Sequence, residues 1–262
     1  MRILIIGDVV GGNGLAAVLA TLPALRESHR ADAVVVNAEN AADGTGTSPR
    51  QARELLDAGV DVLTGGNHSL RRREFAEVLR DDARVLRPAN LAADAPGRAV
   101  TVVPTPAGSL GVVNVMGNVF LDATANPFEI IDGLVTEARD GGATHILVDH
   151  HAEVTSEKKA LGWYLDGRVT AVVGTHTHVQ TADERVLPQG TAYITDLGMS
   201  GPHDSVIGVR TDVIVRRFRL GTHDRFEVAT GNVRVQGVVV EAGPDGRAVS
   251  ISRIDEAVTA ET

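Results

Sequence analysis

Ile3-Leu4-Ile5-Ile6-Gly7-Asp8-Val9-Val10-Gly11-Gly12-Asn13-Gly14 is the stretch on which the fold turns. Four consecutive apolar residues read as a buried strand. A glycine-rich turn carrying one carboxylate follows at once. From Leu15 to Leu25, the residues Leu15, Val18, Leu19, Leu22 and Leu25 share one helical stripe. A buried strand that feeds a helix through a short turn is the start of a β-α-β unit.

The pattern recurs. Ala33 to Val36 is a second strand, ending in Asn37-Ala38-Glu39-Asn40. After a Gly- and Thr-rich loop, Ser48 is a suitable N-cap and Pro49 a suitable first helical residue, for a helix to about Ala58. Val60 to Leu63 is a third strand, ending in Thr64-Gly65-Gly66-Asn67-His68, and a helix is expected from there through about Leu79. Alternating strands and helices imply parallel strands joined by crossovers, with ligands bound beyond the strands' carboxyl ends. Asp8, Glu39, Asn67 and His68 stand at such ends.

Further on, Ala99 to Val103 and Leu110 to Val115 read as a strand pair, and Phe128 to Arg139 as a helix. Thr144 to Val148 is a strand ending in Asp149-His150-His151-Ala152-Glu153. A helix from Ser156 to about Leu165 leads to the strand 169–173, which runs into Gly174-Thr175-His176-Thr177-His178. Beyond residue 180, strands are expected at Tyr193 to Thr195, Phe226 to Ala229, Val233 to Val240 and Val249 to Ile254, with a helix at Asp212 to Phe218. Residues 1–256 read as a single domain, and 257–262 as a mobile tail.

The 262 residues carry a net charge of −9, which disfavours a nucleic acid or an anionic membrane as partner. With no cysteine, thiolate ligands and disulfides are excluded, so any metal must use His, Asp, Glu or Asn. The opening apolar run is too short for a signal-peptide core, and no apolar stretch approaches a bilayer-spanning length; a cytoplasmic protein is expected.

Polar residues of one kind gather at five strand ends: Asp8; Glu39 and Asn40; Asn67 and His68; His151; His176 and His178. Carboxylate, imidazole and amide oxygen together suit a divalent metal such as Mn, Fe, Co or Zn. Two carboxylates and several histidines exceed the needs of one tetrahedral site and suit two metals bridged by a carboxylate. In extended chain His176 and His178 would point to one side, to serve one metal or one each of two. His150 and His151 would point to opposite sides, so only one of them can face the metals.

Taken in order, Gly7-Asp8-Val9-Val10-Gly11, Asn37-Ala38-Glu39-Asn40, Gly66-Asn67-His68, His151-Ala152-Glu153 and Gly174-Thr175-His176-Thr177-His178 resemble the calcineurin-like metallophosphoesterases. More narrowly, the chain resembles the bacterial YmdB-like phosphodiesterases, nearly end to end. The resemblance implies an α/β protein of four layers, an α/β/β/α sandwich, with a dinuclear centre. Carried over, Asp8, Glu39, Asn40 and His178 would hold one metal. Glu39, Asn67, His151 and His176 would hold the other, with Glu39 as the bridge. His68 would protonate the leaving alkoxide or contact the phosphate. Two divalent ions per chain are implied, iron first, with manganese, zinc or magnesium as alternatives.

The implied activity is hydrolysis of small 2′,3′-cyclic, and also 3′,5′-cyclic, nucleotides by metal-activated hydroxide. The implied partners are a small phosphodiester or nucleotide and further copies of the chain. Where many metallophosphoesterases have Asp-x-His, Val10 stands here, leaving a place for Asn40 or water.

Rival readings remain in the residues. Gly12-Asn13-Gly14-Leu15-Ala16-Ala17 fits a G-x-G-x-x-A dinucleotide fingerprint, with Asp32 twenty residues after Gly12. A nucleotide- or dinucleotide-binding regulatory protein without significant hydrolysis is therefore the alternative. Asp149, Thr195 and Asp196 could orient ligands or merely close turns, and Lys158 and Lys159 could meet phosphate. His29, His145, His203 and His223 are assigned to structure or surface, with His203 set apart because Gly201-Pro202-His203 could lie at the site rim.

Overall fold

The computed structural model describes residues 1–222 and 225–258. Its elements are β1 (Arg2–Ile6), β2 (Asp8–Val9), α1 (Gly11–Ser28), β3 (Ala33–Asn37), α2 (Pro49–Asp57), β4 (Val62–Thr64) and α3 (Phe75–Asp81). Then come β5 (Val100–Thr105), β6 (Gly108–Met116), α4 (Pro127–Asp140), β7 (His145–His151), α5 (Thr155–Tyr164) and β8 (Ala171–Thr175). The chain continues with β9 (Arg185–Val186), β10 (Ala192–Ile194), β11 (Met199–Pro202), α6 (Thr211–Leu220), β12 (Val233–Ala242) and β13 (Ala248–Ala257).

Two mixed sheets form. One runs β2-β11-β12-β1-β3-β4, with β13 added beside β12; the other runs β5-β6-β7-β8-β10-β9. The expected parallel run is β1-β3-β4, and β6-β7-β8-β10 form a second one.

Strand alternation sorts the apolar side chains into three cores. Ile3, Ile5, Val35, Leu147 and Val173 meet between the two sheets. Leu4, Ile6, Val34 and Val36 turn the other way, onto Leu15, Val18, Leu22 and Leu25 of α1 and onto α2 and α3 through Leu55 and Leu79. Val113, Ile146, Val148 and Val172 pack on α4 and α5 through Ile131, Val135 and Leu161. The layers are therefore helix, sheet, sheet, helix, which is the four-layer arrangement expected.

The structure departs from the expected elements in several places. No helix starts at His68. Residues 67–74 form turns, and α3 begins only at Phe75. The Ser69 hydroxyl accepts from Gly66 N–H and donates to Gly66 C=O, which closes a local turn in place of a helical one. Phe226 to Ala229 is no strand: only an isolated bridge joins Val228 to Val209. β7 extends through His151, paired residue for residue with β6. β13 reaches Ala257, which pairs with Arg234, so the tail does not begin at 257; residues 259–262 lie outside the described residues, as does His223. Ser48 does cap α2, in a reciprocal capping box with Gln51.

Among the described residues, no helix is long and apolar enough to cross a membrane.

Candidate metal centre

The alternation that builds the cores also aims the polar strand ends. Leu147 faces the space between the sheets, so Asp149 and His151 face it too, and His150 faces the α5 side. His151 is fully buried among the candidate ligands. His150 is equally buried, with neither ring nitrogen hydrogen-bonded among the described residues. Burial, reinforced by the charge of Lys158, pushes His150 down to about 3, so it stays neutral.

His151 Nε2 is the focus of the cluster. It lies 2.9 Å from Glu39 Oε1, 3.1 Å from Asn67 Oδ1 and 3.1 Å from His176 Nδ1. Glu39, His151 and His176 thus offer ligand atoms all within 4.8 Å of one another. Gly66 makes this approach feasible: a Cβ there would lie 2.2 Å from both Glu39 Oε2 and His151 Nε2.

The second group adjoins it. Asp8 is fully buried in β2, which pairs in parallel with β11. Its Oδ1 lies 3.8 Å from His178 Nε2 and 4.0 Å from His151 Nδ1. Asn40 spans two histidines: Oδ1 is 2.8 Å from His68 Nδ1 and Nδ2 is 3.1 Å from His178 Nε2. His68 also donates its backbone N–H to Glu39 Oε2. Asp8, Glu39, Asn40, Asn67, His68, His151, His176 and His178 therefore all join one network of contacts.

The two histidines after β8 depart from the extended-chain expectation. His176 has φ +97° and His178 φ +63°, both in the left-handed region. Their rings diverge, His176 toward His151 and Glu39, His178 toward Asp8 and Asn40. Backbone contacts hold this turn: His176 N–H donates to Asp8 Oδ2, and Thr177 donates through both its N–H and its hydroxyl to Asp196.

The electrostatics suit a cation. Burial drives Asp8 up to about 6 against the pull of His178 and His151, helped by the neighbouring Asp196 and Glu39 charges. Burial opposes the Glu39 charge as well, but the adjoining His151 and His68 outweigh it and hold Glu39 at about 2. For His151 burial is again overcome, by Glu39 and Asp8, and it rises to about 9. His176 falls to about 3 through burial and the His151 charge. Burial also lowers His68, against the attraction of Glu39. Asp8 Oδ1 is buried with no hydrogen-bond partner among the described residues, and the buried Glu39 Oε1 faces His151 Nε2. A buried oxygen left unpaired is costly, and a cation removes that cost.

Several supporting residues are not evident from the sequence. His151 Nδ1 lies 2.9 Å from Thr175 Oγ1, which donates to Asp149 Oδ1. Asp149 also accepts from Asn37 and Thr64. Thr175 thus takes the Nδ1 proton and leaves Nε2 free for a metal. Asp149 is a candidate for this role from sequence alone; the link through Thr175 follows from strand direction, since Asp149, His151 and Thr175 all face inward. Glu153 stands 3.1 Å from His176 Nε2. Lys158 does not meet phosphate: it is 1% exposed and pairs with Asp196 at 2.6 Å.

The dinucleotide alternative finds no support in the geometry. Asp32 accepts the backbone N–H of Arg2 beside the amino end of β3, opposite the ligand end. Gly14 is needed for packing, as a Cβ there would lie 2.1 Å from Ser200 C=O.

Comparison with known proteins shows the family. The 2′,3′-cyclic-nucleotide 2′-phosphodiesterase of Bacillus subtilis (strain 168) is 44% identical, over 97% of this chain and 96% of that protein. A solved hypothetical protein from Thermus thermophilus is 42% identical, with a TM-score of 0.92, covering 98% of this chain and 99% of that one. A novel phosphatase of solved structure from Mycoplasma pneumoniae is 33% identical, with a TM-score of 0.90, covering 98% of this chain and 93% of that one. Residues 4–254 match the model of the YmdB-like proteins, and the chain belongs to that family.

Proposed function

We propose that the protein is a dinuclear-metal phosphodiesterase that hydrolyses 2′,3′-cyclic nucleotides, with 3′,5′-cyclic nucleotides as further substrates. One observation carries the reading. His151 Nε2 faces electron pairs on Glu39, Asn67 and His176, and a single proton cannot satisfy all three. A divalent cation can. The naming of the Bacillus relative supports the substrate class.

Glu39, Asn67, His151 and His176 would hold one ion. Asp8, Glu39, Asn40 and His178 would hold the other, with iron as the first candidate and manganese as the second. Bound there, the pair would lower the pKa of water and neutralise charge on the phosphate. Asn40 would coordinate through its amide oxygen, which also accepts from His68 in this structure. His68 lines the cleft above Glu39 and would supply the proton to the leaving oxygen.

The test is metal analysis of the freshly purified protein, followed by turnover of 2′,3′-cyclic AMP, a p-nitrophenyl phosphodiester and a p-nitrophenyl monoester. About two ions per chain and a diester preference are expected. Preference for the monoester overturns the assignment. His68→Ala should slow turnover by about 10²–10⁴-fold with both ions retained; unchanged turnover removes the acid role from His68.

A further inference from the structure

A cleft of about 400 Å³ opens directly over the candidate ligands, and Glu39, His68 and His178 form its polar floor. That volume lies within the range of roughly 300–1,000 Å³ usual for small-molecule sites. One wall is apolar, built from Ile207, Phe226 and Val228. The wall is tied to the floor, because His178 Nδ1 lies 2.9 Å from Ile207 C=O. Val228 is wedged where added Cβ atoms at Gly11 and Gly44 would lie 2.8 and 3.4 Å from its methyl groups, and both glycines have positive φ. Ile207 itself has φ +48°, an uncommon and strained conformation for a β-branched residue.

Phe226 is 52% exposed, with the Arg217 guanidinium 4.8 Å from its ring centroid. The guanidinium covers part of the ring, and the ring also lines the cleft. A flat apolar ring beside residues that would hold phosphate-binding ions fits a flat aromatic ligand that carries a phosphate. The cleft is also lined by Asp43, Thr45 and Arg71, polar groups suited to the hydrogen-bonding edge of a heterocycle.

We propose that Phe226, with Ile207 and Val228, is the platform that receives the nucleobase of the substrate. This rests on the phosphodiesterase reading and deepens it: the substrate class becomes a mononucleotide cyclic phosphate, selected by its base, in preference to a cyclic phosphodiester without one. The net charge of −9 favours a mononucleotide over a long polyanion.

The test compares 2′,3′-cyclic AMP with glycerol 1,2-cyclic phosphate, which has the same five-membered phosphodiester and no base. Phe226→Ala should lower the kcat/KM ratio of the nucleotide over the glycerol ester about tenfold, as for loss of a stacking platform, mainly through KM. Phe226→Trp should restore the ratio. Ile207→Gly removes the wall independently and relieves the strained backbone, so the result does not hang on one variant folding; melting curves confirm that each variant folds. A ratio unchanged in both Phe226→Ala and Ile207→Gly overturns the platform. Failure of the wild type on both substrates strikes the phosphodiesterase reading itself, whereas intact turnover with an unchanged ratio strikes only the platform.

Discussion

At the scale of the residue, the question is what fixes His151 as a ligand. Its Nδ1 faces Thr175, and Thr175 donates onward to Asp149, so the ring is held with Nε2 toward Glu39. Thr175→Val keeps the side chain's shape and deletes the acceptor. Metal affinity should fall about 10–100-fold, the usual cost of losing such an outer partner, and Thr175→Ser should recover it. Titration with Mn²⁺ followed calorimetrically measures this; equal affinity in the valine variant removes Thr175 from the site. The contrast with His150 shows how much is legible in sequence. Alternation separates the two neighbouring histidines, but choosing between them needs to know which face looks between the sheets. The family resemblance divides His176 and His178 between two ions, but the left-handed backbone that turns their rings apart was illegible, because it depends on Asp8 and Asp196, which lie outside the local stretch.

Elements show the same division. Strands and helices with their own periodicity, such as β1, β3, α1 and α2, are readable from local residues. The segments 67–74 and 226–229 are not, since side-chain contacts decide the first and a single bridge the second. The tie from α5 to the segment after β10 is also invisible in sequence. Lys158 looks like a surface lysine on a polar helix, yet it reaches Asp196, which is fully buried and also accepts from Thr177 and Gly198. Lys158→Met should cost about 3–5 kcal/mol, because it leaves a buried carboxylate without its cation. Urea denaturation reads this directly, and a loss under about 1 kcal/mol would contradict the buried pair. Asp183 makes a second tie. Burial disfavours its charge, but hydrogen bonds from Thr195 and Thr181 prevail and hold its carboxyl below the usual range. A carboxyl depressed in the fold contributes stability above its unfolded pKa, and that contribution fades as pH falls through the folded value. Asp183→Asn should therefore be destabilising at pH 7, with the gap to wild type narrowing below about pH 4. A gap that stays constant in acid-range urea melts would sink the idea.

For the whole molecule, the consequence lies in where the candidate ligands come from. Asp8, Glu39, Asn40 and Asn67 belong to or follow strands of the first sheet; His151, His176 and His178 belong to or follow strands of the second. The two sheets also meet through aliphatic side chains such as Ile3, Ile5, Leu147 and Val173, and through hydrogen bonds from Asn37 and Thr64 to Asp149. Ions held by both ligand groups would join the sheets at one edge. They would also offset the buried charge of Asp8 Oδ1 and Glu39 Oε1 at that edge. Binding to the folded state alone stabilises it by about 2.7 kcal/mol when free metal stands at 100 times its dissociation constant. For a chain of this length each kcal/mol moves the melting temperature by roughly 2–4 °C, so saturation with Mn²⁺ should raise it by about 5–10 °C and chelation should reverse the rise. Glu39→Gln, which weakens the proposed bridge between the ions, should abolish most of the shift. Scanning calorimetry of wild type and variant, with metal and after chelation, checks both statements. If Mn²⁺ moves the two melting temperatures equally, Glu39 does not hold the ions that link the sheets.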